Sequence, residues 1–393
     1  MNELSNGYNI DIFTKNCREK ACILEMTLVF RSLFYPEAEG LDPNFSGVCQ
    51  FLSVNASTVA GKVVLCFTSL TLGAVRSASE VVKEAGGAGL IVAKNPSESL
   101  YPCTDGFPCI EIDYEIGTQI LFYIRSTRSP VVKLSPSRTI VGKPVLAKVA
   151  HFSSRGPNSI APAILKPDVA APGVNILAAT SPLGRFQEAH PDWSPAAIKS
   201  SIVTTAWRNN PSGFPLFAEG SPPKLADTFD YGGGIVNPNG AANPGLVYDM
   251  GTEDYINYLC AMNYNNTAIS RLTGNLTACP IEEPSILNIN LPSITIPNLR
   301  NSITLTRTVT NVGATNSIYR VMIEPPFGTS VSVKPNVLVF NHGTKKITFT
   351  VTVTTAHQVN TEFSFGSLTW TDGVHIVRSP LSVRAEFLQP YFL

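Results

Sequence analysis

Neither sign of charge is in excess: Lys and Arg number 29, Asp and Glu 29, and the formal net charge at pH 7 is zero. That balance excludes a global field that would draw the chain to nucleic acid or to an acidic membrane surface. Charged residues make up only 15% of the chain against 44% hydrophobic. Even so, no run reaches the roughly 18 uncharged apolar residues that a membrane span needs. The first 35 residues also lack the apolar core of a signal peptide, because Arg18, Glu19, Lys20, Glu25 and Arg31 interrupt their one apolar stretch. Two CxxC pairs are missing, which argues against a zinc module. No GK[ST] follows Gly232, Gly233 and Gly234, so those glycines read as a turn and not as a phosphate loop. No metal or cofactor is expected.

What is present is enough chain, 393 residues, to bury one large core or two to three ordinary ones. Eight cysteines fall at Cys17, Cys22, Cys49, Cys66, Cys103, Cys109, Cys260 and Cys279. Sequons at Asn44, Asn55, Asn265 and Asn275 join that even count in suiting an oxidising, secretory route. Cys103 with Cys109, Cys49 with Cys66 and Cys260 with Cys279 are plausible bridges, and the spacing leaves connectivity open.

Residues 1–40 show no clear period. From about 41, AGKVVLCF (Ala60 to Phe67) reads as a buried strand. Val75, Ala78, Val81, Val82 and Ala85 follow at helical spacing, Gly86 and Gly87 end that helix, and AGLIVAKN (Ala88 to Asn95) is a second buried strand. More strands and a helix near Tyr114 to Ser126 complete a small α/β unit. Further on, Ser194 and Pro195 open a helix as N-cap and first residue, with Ile198, Ile202 and Ala206 as its apolar stripe. Thr252 caps a later helix whose first turn carries Glu253 and Asp254. From about 286 the alternation of Ile303, Leu305 and Val309, and of Ile347, Phe349, Val351 and Val353, predicts a β-sandwich that also includes SVSVKP and FGSLTWTDG.

HFSSRGPNSIAPAILKPDVAAPGVNILAAT (His151 to Thr180) and HPDWSPAAIKSSIVTTAW (His190 to Trp207), followed by YGGGIVNPNGAANPGLVYDMGTEDYINYLC, closely resemble plant subtilisin-like serine proteases. GVCQFLSVNAS, AGKVVLC, AGGAGLIVAKN and VGKP resemble their inserted protease-associated domain, and RTVTNVG at Arg307 to Gly313 resembles their terminal fibronectin-III-like domain. The resemblance implies an α/β plus all-β protein: a protease-associated domain at 41–146, part of a parallel subtilisin-like α/β domain at 147–285, and a fibronectin-III-like sandwich at 286–388. It also implies an extracellular or secretory setting.

The family's chemistry needs a serine activated by an imidazole, a carboxylate that fixes the imidazole, and donors for the oxyanion. The serine motif GTSM and the buried helix after it belong between the two flanking segments, yet only SPLGRFQEA stands there. The aspartate, histidine and oxyanion-asparagine motifs belong upstream of the inserted domain, and residues 1–40 contain none of them. Such a triad contributes on the order of 10⁶-fold in turnover, a figure measured on subtilisin itself. No catalytic, cofactor-binding or metal-binding residue is therefore assigned.

Substitute groups read as structural. Ser153 and Ser154 beside His151 lie in a turn with no third group to orient the imidazole. Asp168 reads as a loop carboxylate accepting backbone hydrogen bonds. Stripped of neighbours, Ile176, Leu177, Ile198 and Ile202 each forfeit about 1.5 to 3 kcal/mol of burial, so 147–285 is expected to be marginal alone. The leading expectation is a family member without peptidase activity. The alternatives are a binding module that contacts a protease, its substrates or other peptides through the two flanking domains, and a working protease with an unrecognised nucleophile.

Overall fold

A computed structural model of the chain describes residues 11–13, 30–37, 47–49, 54–68, 74–94, 106–135, 147–173, 190–210, 213–219 and 224–387. Its contacts divide into two compact units, 1–144 with 219–222, and 145–218 with 223–393.

In the first unit, strands β1 (Asp11–Phe13), β2 (Arg31–Phe34), β3 (Val63–Phe67), β4 (Gly89–Lys94), β5 (Cys109–Asp113) and β6 (Val131–Ser135) form one sheet. Their order is β1-β6-β2-β3-β4-β5. The last four in that order, β2 to β5, run parallel. Alternation sends Val64, Cys66, Leu90 and Val92 under Val75, Ala78 and Val82 of the helix Ala74–Glu84. It sends Val63, Leu65 and Ile91 towards Ile120 of the helix Tyr114–Ser126 on the other face. With both faces covered, the strands are apolar throughout, which is why they read as continuous runs. Gly86, at φ 78°, ends the first helix, and the Gly87 N–H returns to Val82 O at 2.9 Å. The first forty residues do contribute structure: β1 and β2 belong to this sheet. No period marks β2, because it has four residues and buries only Leu33.

The second unit opens with β7 (Lys148–Val149), β8 (Phe217–Ala218) and β9 (Lys224–Leu225), in which β7 and β8 are parallel. These two-residue pairings, with isolated bridges such as Val169 to Gly232, are all the described residues of 147–235 show of the expected parallel sheet. Then come β10 (Leu246–Val247), β11 (Ile294–Leu299), β12 (Ser302–Asn311), β13 (Ser317–Glu324), β14 (Thr329–Lys334), β15 (Val337–Phe340), β16 (Lys346–Thr355), β17 (Ser364–Thr371) and β18 (Ile376–Ala385). They form two sheets, β10-β12-β16-β14 and β11-β18-β17-β13-β15. Leu305, Val309, Phe349, Val351 and Val353 on one sheet pack against Leu368, Trp370, Val377 and Leu381 on the other, as the alternation predicts. Strand β10 pairs antiparallel with β12, and Leu246 and Tyr248 lie in the sandwich core. The β-structure thus reaches upstream of 286 and draws on the preceding segment.

The later helix Thr252–Ala261 is capped by Gly251 and not by Thr252. The Asp254 carboxylate accepts the Gly251 N–H at 2.8 Å, which fixes the helix start one residue earlier than the threonine suggests.

Candidate functional site

The helix Pro195–Thr204 is built as its sequence predicts: the Ser194 hydroxyl accepts the Ala197 N–H at 3.0 Å, and Pro195 occupies the first turn. Ser194 also donates to the Asp249 carboxylate. Its buried residues, however, are Ala196, Ala197, Ser200, Ser201, Val203 and Thr204, while Ile198 and Ile202 stay half-buried. The expected stripe is therefore not the packed face. Small and hydroxyl side chains sit where the helix meets the sandwich, and Ser200 accepts the Tyr248 N–H at 2.9 Å.

Asp168 takes lysine partners and not the expected backbone donors: Lys166 on one oxygen and Lys199, at 2.8 Å, on the other. Burial opposes its charge, but the two lysines outweigh burial and hold the carboxyl below its ordinary range. Ser153 lies in a turn closed by its own N–H to Ala150 O at 2.9 Å, and the His151 ring meets Phe152 edge-on. That turn is anchored by Arg155, which forks onto both oxygens of Asp227 at 2.7 Å and also reaches Asp230 at 2.7 Å. Lys224 pairs with Asp230 at 2.7 Å. Burial works against the Asp230 charge, yet Lys224, the Asp227 N–H and Arg155 keep its pKa lowered.

Gly232 needs its missing side chain: at φ 63°, an added Cβ would lie 2.3 Å from Asp168 O. The neighbouring Gly233 N–H donates to that same carbonyl at 2.9 Å. The glycine run is thus a close backbone crossing. Cys49–Cys66 and Cys260–Cys279 are disulfides, each with Cα atoms 5.7 Å apart. Cys109 is also disulfide-bonded. Cys103, Asn44, Ile176, Leu177 and the junction SPLGRFQEA lie outside the described residues.

The remaining histidines have other work. His190 stacks on Trp193 with centroids 3.8 Å apart and places Nε2 2.9 Å from Ala242 O. His357 Nε2 lies 3.3 Å from Phe327 O, and His342 is exposed in the turn after β15. The pair that sequence reading missed is His375 with Asp372, Nδ1 to Oδ2 2.8 Å. It has the base-and-orienter form of a triad. Its Nε2, however, is buried with no hydrogen-bond partner among the described residues, so no hydroxyl waits for it. The i, i+3 spacing in TDGVH was the available signal: Asp372 Oδ1 also accepts the Val374 and His375 N–H groups at 2.9 and 2.6 Å.

The segment's contacts to the sandwich are extensive. Tyr248 OH accepts from Ser379 at 2.9 Å, and burial raises its pKa to about 12. Arg378 donates to Gly233 O, Arg208 pairs with Glu324, and Phe229 packs edge-on against Phe363 and Phe365. Among the described residues, no group of three His, Cys, Asp or Glu side chains could hold a metal ion, and no helix is long and apolar enough to cross a membrane.

Family models agree with this architecture. A PA domain matches residues 27–120 and a fibronectin type-III domain matches residues 288–383. The chain is thus of the class that joins an α/β protease-associated domain to a fibronectin-III-like sandwich. Subtilisin-like protease SBT3.5 of Arabidopsis thaliana is 57% identical over 393 residues, covering 93% of this chain and 51% of the relative. SBT3.8 of the same plant is 56% identical with the same coverage, and SBT3.3 is 57% identical over 389 residues, 92% of this chain and 50% of the relative. Over nearly all of its own length the chain is thus similar to plant subtilisin-like proteases, and it spans about half the length of the curated relatives it matches. The alignment to SBT3.5 runs over 393 positions while using 93% of this 393-residue chain, so the relative carries residues inside the aligned span that have no counterpart here.

Proposed function

We propose that this chain is a non-proteolytic member of the subtilisin-like protease family. The observation that carries the reading is the junction between Thr180 and His190, where SPLGRFQEA stands in place of a serine nucleophile motif and its helix. The relatives' surplus inside the aligned span supports it. His190, on Ala242 O, and His375, on Asp372, support it as well, because a hydroxyl without an imidazole base is a weak nucleophile at neutral pH. In module terms we assign 41–146, with β1 and β2 upstream of it, to the protease-associated domain, 147–285 to the catalytic-domain segment and 286–388, with β10, to the sandwich, the last two forming one folded body. No catalytic residue is assigned.

A second reading, a protein-binding module acting on a protease or its peptides, is favoured by the two flanking domains matched by family models. The disulfides Cys49–Cys66 and Cys260–Cys279, with the sequons, support a secretory or extracellular setting. The test of the main reading is hydrolysis of a casein or fluorogenic peptide panel, with an intact relative as positive control. The chain is expected to match the buffer blank, and turnover abolished by a serine-directed inhibitor would refute the proposal.

A further inference from the structure

Two arginines of the second unit are almost wholly buried without an ion pair, Arg307 at 4% exposure and Arg378 at 8%. A buried guanidinium without acceptors costs several kcal/mol, so its donors should all be accounted for. Arg307 comes close, with four of its five donors on backbone carbonyls: Leu291 at 3.1 Å, Leu287 at 2.7 Å, Thr306 at 2.8 Å and Ser293 at 3.2 Å. Arg378 does not. Among the described residues its guanidinium makes one hydrogen bond, to Gly233 O. Burial lowers its pKa to about 10, and the nearby positive charge of Arg208 adds to that lowering.

The difference between them is what lies alongside. Arg378 lines a cleft of about 450 Å³ whose walls include Trp207, Arg208, Asn243, Pro244, Val374 and Ile376. Glu324 pairs with Arg208, accepts from Ser367 at 2.9 Å and also attracts Arg378, so one carboxylate serves two guanidinium groups. The Asp372 carboxylate is taken up by His375 and the Val374 N–H. One positive charge therefore remains over, beside an apolar wall with Trp207, Val374 and Ile376 exposed.

We propose that this cleft is a binding site for a carboxylate carried on an apolar body, with Arg378 receiving the carboxylate and Trp207, Val374 and Ile376 the apolar part. The single uncompensated charge favours a monoanion, and the neighbouring Glu324 disfavours a dianion such as phosphate. A planar guanidinium fork suits a carboxylate in particular. The site is independent of whether the chain hydrolyses peptides.

Hexanoate, hexanamide and inorganic phosphate would be titrated into the full chain by calorimetry and saturation-transfer NMR. The proposal expects saturable hexanoate binding with Kd on the order of 1 mM, as a small ligand allows, and none by hexanamide. Arg378→Lys, which keeps the charge and loses the fork, should weaken hexanoate about tenfold. Ile376→Glu, a change at an exposed position of the cleft wall, should weaken it by a similar factor, and it decides the matter if the arginine variant does not fold. A hydrophobic peptide that competes with hexanoate only when its C-terminus is unamidated would identify a chain end as the natural source. Failure of both peptides to compete would identify a small organic acid. Equal binding of acid and amide, phosphate binding as tight as hexanoate, hexanoate affinity unchanged in folded variants, or no saturable binding would each overturn the proposal.

Discussion

The two units close their cores in different ways. In the first, residues 63–126 supply strands β3, β4 and β5 and the helices that cover the sheet, Ala74–Glu84 on one face and Tyr114–Ser126 on the other. In the second, the sandwich takes Leu246 and Tyr248 from the segment that precedes it, and that segment in turn rests Phe229, Gly233 and Arg208 on the sandwich. Among the described residues of that segment the strand pairings are two residues long, and much of its burial comes from its neighbour.

That contrast can be broken most directly at Tyr248. Tyr248→Ala removes a fully buried aromatic ring and is expected to cost about 3 to 5 kcal/mol. Tryptophan fluorescence should report the loss for the second unit, which holds Trp193, Trp207 and Trp370. An unchanged midpoint would mean that the segment and the sandwich are not one body. The next largest effect belongs to the first unit. Replacing Cys49 and Cys66 by alanine opens a loop of sequence separation 17 and should cost about 2 to 4 kcal/mol. Faster amide hydrogen exchange in β3 and β4 would register it, and unaltered exchange would show that the sheet's own packing suffices.

A smaller effect concerns pH. Burial disfavours the charge of Asp372, but hydrogen bonds from His375 and Val374 prevail and hold its pKa down to about 2. Such a depressed carboxyl stabilises the fold fully above its unfolded value near 3.8 and loses that contribution as pH falls through about 2. Asp372→Asn should therefore cost about 1 to 2 kcal/mol at pH 6 and flatten the fall in the fluorescence midpoint between pH 4 and pH 2. An acid slope identical to that of the parent chain would remove Asp372 from the account.

The sequence made legible what local periodicity encodes: β3 and β4, the glycine stop at Gly86, the Ser194 cap and the alternating strands β12 and β16 all lie where pattern placed them. It missed contacts whose partners are far apart along the chain or too short to show a period. Strand β10 has two residues, too few for alternation to register, so its place beside β12 was hidden. Asp168 reaches Lys199 across a segment that carries no signal of the pairing. The helix Pro195–Thr204 misled because its isoleucines are the residues expected to pack, whereas the sandwich receives the small face that permits close approach of Tyr248. Arg378 and Arg307 look alike in sequence, and only the surrounding carbonyls separate a satisfied cation from an open one.

The proposed lack of a nucleophile is tested most directly by incubating the folded full chain with a fluorophosphonate probe and weighing the intact protein. The account predicts an unshifted mass while an intact relative gains one adduct. A stoichiometric adduct on any serine of this chain, lost on unfolding before treatment, would contradict it.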